Sequence, residues 1–144
     1  LSRICRFGGA IRDDIEIYSV AQHCVLVSQN VPPEFALEAL LHDAAEAYIG
    51  DMVAPLKWAL PERRVVEQRI ERVIRAKYKL PTEESAAVKA ADMIAAATER
   101  RDVCAINTRC DWGVLPEPWP ETIVPVLPAE ARALFIRRFL EVYP

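Results

Sequence analysis

Residues 39–52 read ALLHDAAEAYIGDM, and how this stretch folds decides how the whole chain is read. Around and within it, Leu37, Leu40, Leu41, Ala44 and Tyr48 recur at the three- and four-residue spacing of one face of an α-helix. Into that apolar pattern the sequence sets His42 and Asp43 side by side, Glu46 one turn later, and a Gly50–Asp51 pair at the end. A helix with this apolar face packs into a core, and burying charge without compensation is strongly unfavourable. Something has to offset these side chains.

The rest of the chain keeps the same period. "YSVAQHCVLVSQN" (18–30) opens on an S-x-x-Q capping box at Ser19 and Gln22, with Val20, Cys24 and Val27 behind it. "PPEFALEALLHDAAEAYIG" (32–50) starts a helix near Pro33 and stops it at Gly50. "PERRVVEQRIERVIRAKYKL" (61–80) places Val65, Val66, Ile70, Val73 and Ile74 on one stripe with charge elsewhere, which offers no strong dimer seam. "TEESAAVKAADMIAAATERRDVCAI" (82–106) predicts a helix capped by Thr82, and "PAEARALFIRRFLEVY" (128–143) a last amphipathic one. Between these two, residues 107–128 include five prolines, so they read as an irregular connection, as does "RFGGAIRDDIEI" (6–17). No alternating strand pattern or repeat appears. The expectation is an all-α, compact multi-helix bundle, a single domain over residues 1–144.

Composition narrows the class. A chain of 144 residues with 52% hydrophobic content can bury a sizeable core. No apolar run long enough to span a bilayer occurs. A net charge of −3 without a basic block argues against a nucleic-acid polymer as partner, while a small anion needs only local positive charge. Cys5, Cys24, Cys104 and Cys110 are scattered, with no CxxC pair, and read as reduced thiols of a cytoplasmic protein. The sequence begins at Leu1 rather than Met, which is compatible with a preceding segment.

Only two histidines occur, His23 and His42. His23 falls at the centre of one predicted helix, the His42–Asp43–Glu46 group on the next, and Asp92 in the middle of a third, flanked by small alanines. Two imidazoles and two carboxylates from three helices suit one divalent transition ion such as manganese, cobalt, iron or zinc. Each residue alone has a plainer reading: His23 as a hydrogen-bonded core residue, Asp92 as a surface acid, Glu46 as a partner for a lysine. Joint placement is less easily dismissed, so the metal site and the plainer readings stand level, and a cation would offset the buried charge.

The order H…HD…D resembles that of the HD-domain metal-dependent phosphohydrolases. "RICRF", "YSVAQH", "LLHDAAEAYIGDMVAPLK" and "VKAADMIAA" look like the small bacterial and phage branch that contains 5′-deoxynucleotidases and deoxynucleoside triphosphate triphosphohydrolases. The proline-rich tail with "FIRRFLEVY" extends the likeness over nearly the whole chain. The resemblance implies an HD-type helical bundle, with His23, His42, Asp43 and Asp92 holding one metal and Glu46 handling the attacking water. It implies Asp51 near the sugar or leaving oxygen, although a helix N-cap is an equal reading of that residue. It implies Arg6, with Phe7 as its aromatic partner, near phosphate, and Lys57 and Lys89 are further cations to consider. The relatives carry tryptophan where this chain has Phe7, and fewer residues between the arginine and the first histidine. Trp58, Trp112 and Trp119 are side chains able to stack on a base, or to pack in the core. The expected reaction is release of phosphate from nucleoside monophosphates, with triphosphate release from a nucleoside triphosphate as the alternative. A non-catalytic nucleotide- or metal-binding module is the reading from another class. Homo-oligomers are expected from the resemblance alone.

Overall fold

Ser19 opens the first helix as its side chain predicts. In the computed structural model, which describes residues 1–105 and 113–143 apart from the side chains of residues 54, 55 and 58, its hydroxyl accepts the Gln22 N–H at 3.2 Å. Only half of the capping box forms. The Gln22 amide donates instead to the Val124 carbonyl and accepts from the Val126 N–H, stitching the proline-rich connection onto α1 (Val20–Gln29).

Helix α1 lies at the centre. The helices α2 (Ala36–Leu41), α6 (Ala86–Asp102) and α7 (Pro128–Val142) all pack against it. Val27, Ala39, Val88, Ala91 and Ala95 fill the α1–α2–α6 junction, and the small alanines of α6 allow the close approach. Val20, Cys24, Val25 and Leu40 meet Leu134, Phe135 and Phe139 of α7 on the other side. Trp119 packs against the first of these clusters, a core role. Trp112 and Cys110 lie outside the described residues, as does the side chain of Trp58. The fold is all-α: among the described residues, extended pairing is limited to two isolated bridges, Cys5–Ser19 and Ile11–Cys104. No helix is long and apolar enough to cross a membrane among these residues.

The helix expected across 33–49 is interrupted. A 3₁₀ turn (Pro33–Phe35) leads into α2, a turn follows over residues 42–45, and α3 (Glu46–Ile49) completes the run. Through this passage the N–H groups reach back three residues, Ala44 to Leu41, Glu46 to Asp43 and Ala47 to Ala44. Three residues per turn eclipse positions i and i+3, so Asp43 and Glu46 stand over one another; an α-helix would splay them by about 60°. Gly50 then reverses the chain at φ 74°, a conformation open to glycine without a Cβ penalty.

Helix α4 (Ala54–Ala59) and the long α5 (Pro61–Tyr78) follow, and the left-handed Lys79 ends α5. The stripe expected on α5 splits. Ile70 and Ile74 are half-buried, whereas Val65, Val66 and Val73 are 50%, 47% and 69% exposed. The inward positions are shared with charged groups that bind the body: Arg63 donates to the Ile49 carbonyl at 3.3 Å, and Arg75 to Glu38 at 3.1 Å. Helix α6 likewise begins at Ser85 rather than Thr82, because the buried Glu38 accepts both the Ser85 N–H and its hydroxyl. Glu38 thus ties together α2, α5 and α6. Glu38→Ala leaves Ser85 without its acceptor and Arg75 without its carboxylate, holding only the Pro81 and Glu83 carbonyls, and should lower unfolding free energy by about 3 kcal/mol, read as a lower denaturant midpoint at unchanged slope.

Candidate metal centre

Two elements deliver three donors to one point, and a third sets Asp92 beside them. His23 lies on the inner face of α1 and is fully buried. His42 and Asp43 come from the tightened turn after α2, and Asp92 from the middle of α6. The Nε2 atoms of His23 and His42 face each other at 3.2 Å. Asp43 Oδ2 is 3.5 Å from each of them, and Asp92 Oδ1 is 3.2 Å from His23 and 3.7 Å from His42. Donors held ~2.1 Å from a common ion are about 3.0–3.4 Å apart; the two separations of 3.2 Å fall in that range, and those of 3.5 and 3.7 Å lie a few tenths of an ångström beyond it. His23, His42 and Asp43 form a group able to hold a metal ion, and Asp92 borders it on the more exposed side.

The chemistry of the donors suits a cation. His42 Nδ1 lies 2.7 Å from the Ala39 carbonyl and His23 Nδ1 lies 2.6 Å from Glu99 Oε1. Both Nδ1 atoms must therefore donate, which leaves a lone pair on each Nε2 in the neutral rings. Lone pairs from all four residues then crowd together, and Arg6 Nη1 donates to one of them, Asp43 Oδ2. Without a metal, a proton has to do the work. Burial, together with Arg6, opposes the His23 imidazolium, but Glu99 and Asp92 outweigh them and push its pKa up to about 10. Burial opposes the charged His42 ring as well, yet Asp43 and Asp92 raise it above its ordinary value. Burial also penalises the charged Asp92, but its bonds to both histidines hold it far below the usual carboxylate range.

The sign of the pH dependence follows. His23 titrates at 6.5 ordinarily and at about 10 here, so its proton stabilises the metal-free fold fully below 6.5 and ceases to as pH rises through 10. A metal ion competes for the same lone pair. Metal uptake below that pH should therefore release protons, and affinity should climb with pH. Titration calorimetry in buffers of differing ionisation enthalpy reads this directly; metal uptake without proton release would contradict the assignment of His23.

Glu46 stands beside the donors. It is 1% exposed, and neither carboxylate oxygen has a hydrogen-bond partner among the described residues. Lys57 Nζ reaches within 3.5 Å of its Oε1, an ion-pair distance without hydrogen-bond alignment. Burial, then the nearby Asp43 and Asp51 carboxylates, push the Glu46 pKa up to about 8, against the pull of Arg6 and Lys57. A carboxylate so placed is a proton acceptor near neutrality.

The residues expected to meet phosphate separate. Arg6 is drawn inward, its side chain 11% exposed, donating to Asp43 Oδ2 at 3.1 Å and to Glu99 Oε2 at 3.3 Å. Phe7 holds its ring against the Arg6 guanidinium and adopts a left-handed backbone, φ 57°, which is strained for a residue with a Cβ. Asp51 steadies that turn by accepting the Gly8 N–H at 3.2 Å, and it faces Arg6 at 4.0 Å. It is not a helix cap, since α4 begins three residues later behind Val53. Lys57, 39% exposed, lies beside the cluster, whereas Lys89 is exposed on α6 and enters no ion pair among the described residues.

Sequence reasoning missed Glu99 and Tyr18. Glu99 is fully buried, and Tyr18 donates its hydroxyl to it at 2.9 Å. One signal was available: Glu99 follows Asp92 by seven residues, two turns, and so shares its helix face.

Comparison with known proteins gives two relatives. The chain is 50% identical over 143 residues to a protein of Escherichia coli, the uncharacterized protein YfdR, spanning 96% of this chain and 78% of that one. It is 29% identical over 155 residues to an uncharacterized protein of Rhodobacter capsulatus, spanning 96% and 79%. No family model matches the chain.

Proposed function

This chain belongs to the family of YfdR, and from the donor cluster at its centre we propose that it is a metal-dependent phosphohydrolase acting on nucleotides, a 5′-nucleotidase that releases phosphate from nucleoside monophosphates. The observation that carries the reading is the pair of imidazole Nε2 atoms aimed at each other 3.2 Å apart, with two carboxylates beside them. The order of these residues along the chain, which resembles the HD-domain phosphohydrolases, supports it.

His23, His42, Asp43 and Asp92 would hold the ion, of the manganese, cobalt, iron or zinc class. When bound, such an ion supplies Lewis acidity, withdrawing charge from a phosphoryl oxygen and making water more acidic. Glu46, with neither oxygen hydrogen-bonded among the described residues, takes the proton as the water oxygen bonds to phosphorus. As the bond from phosphorus to the 5′ oxygen breaks, that proton is returned to the leaving oxygen, near which Asp51 is assigned. Lys57 offsets the charge of Glu46 and of the phosphate. The supply of cations favours the monoester. Arg6 is already engaged by Asp43 and Glu99, and Lys89 stands apart, so among the described residues Lys57 is the cation placed beside the cluster for phosphate.

A product assay tests the proposal. Protein stripped by chelation and reloaded with manganese or cobalt meets a panel of ribo- and deoxynucleoside mono- and triphosphates. Phosphate and nucleoside from the monophosphates are expected. Intact triphosphate would convert the assignment to a triphosphohydrolase, and no metal-dependent turnover on the panel would overturn it.

A further inference from the structure

Glu99 has no part in the proposed reaction, yet it is engaged by three donors in the core. It is fully buried, and it accepts from His23 Nδ1 at 2.6 Å, from the Tyr18 hydroxyl at 2.9 Å and from Arg6 Nη2 at 3.3 Å. A carboxylate surrounded by three donors is acceptor-only. With Nδ1 committed as the donor, the other ring nitrogen of His23 is left facing the cluster.

Arg6 extends the same constraint. Its guanidinium joins Glu99, through Nη2, to Asp43 Oδ2, through Nη1 at 3.1 Å. One planar group therefore fixes the distance between the carboxylate that orients His23 and a second donor of the cluster. Planarity makes that spacing rigid, which a lysine in the same place would not.

We infer that Glu99 is the positioning residue of this centre: it sets His23 as an Nε2 donor and, through Arg6, holds Asp43 in register with it. The inference rests on the metal-centre reading above. Carboxylates behind metal-ligating histidines fix tautomer and ring orientation, and losing one typically lowers metal affinity about 10–100-fold.

Cobalt(II) binding by the whole chain, followed by visible absorption and calorimetry, tests it. Glu99→Gln keeps the shape but presents a donor as well as an acceptor. It should weaken cobalt binding about 10–100-fold and alter the ligand-field spectrum. Tyr18→Phe, which removes a donor to Glu99 without touching His23, should shift affinity in the same direction and by less. If Glu99→Gln does not fold, Glu99→Asp, which keeps the charge but pulls it back by one methylene, should show the same loss and spectral change. Either folded variant binding cobalt within about threefold of the unaltered chain, with an unchanged spectrum, would overturn the inference. If that happens while His23→Ala loses cobalt, the metal centre stands and only the role of Glu99 falls. An unaltered chain that takes up no cobalt would overturn both.

Discussion

Glu46→Gln should lower kcat on nucleoside monophosphates by about 10²–10⁴-fold while leaving metal stoichiometry unchanged. The amide preserves the volume of a side chain that is 1% exposed, so packing is not disturbed. It removes the ability to accept a proton. Because both Glu46 oxygens lack a hydrogen-bond partner among the described residues, the substitution breaks no hydrogen bond there and gives up the ion pair with Lys57, itself 39% exposed. The pH profile gives a second reading of the same residue. Burial, together with Asp43 and Asp51, brings Glu46 up to about 8 in the metal-free protein, and a nearby divalent charge draws it back down. Since the ionised form is the base, activity should rise with pH up to that lowered value, with the acid limb below about 8, and the limb should vanish from the residual rate of the variant. An unchanged kcat would remove Glu46 from the reaction.

Asp92→Ala should abolish useful metal binding, with affinity falling by more than the about 100-fold upper range for residues behind the ligands. The geometry argues for a local effect. Asp92 lies mid-helix on α6 and its side chain is 37% exposed, so alanine, the best helix former, should leave the metal-free fold intact. What is lost is the donor that α6 contributes, 3.2 Å from His23 and 3.7 Å from His42. Thermal denaturation with and without manganese separates the two effects. An ion at about 1,000 times its dissociation constant stabilises the native state by about 4 kcal/mol. The unaltered chain should therefore melt higher with manganese, and the variant should melt at one temperature in both conditions. A variant that still gains stability from the ion would show that Asp92 is not among the groups holding it.

The sequence by itself determined the helical class and the identity of the cluster. Period 3.6 in "YSVAQHCVLVSQN" and "PAEARALFIRRFLEVY" depends on local chemistry, and those helices stand close to where the pattern places them. The scarcity of histidine, and an acid beside one of the two, marked His23, His42, Asp43, Glu46 and Asp92 before any fold was in hand. Tertiary structure alone decided the rest. Glu38 moved the start of α6 to Ser85, because a buried carboxylate from another helix gave the Ser85 N–H and hydroxyl a better partner than a local cap. The 3₁₀-type bonds after Leu41 placed Asp43 over Glu46, a geometry invisible to a pattern that assumes one helical pitch. The resemblance marks Arg6 as a phosphate contact, and only the tertiary structure shows it bridging Asp43 and Glu99, since those carboxylates lie 37 and 93 residues away along the chain and meet it only in space. Periodicity reports which face a residue occupies. It does not report what waits opposite that face, and for buried charge the opposing group decides both energy and role.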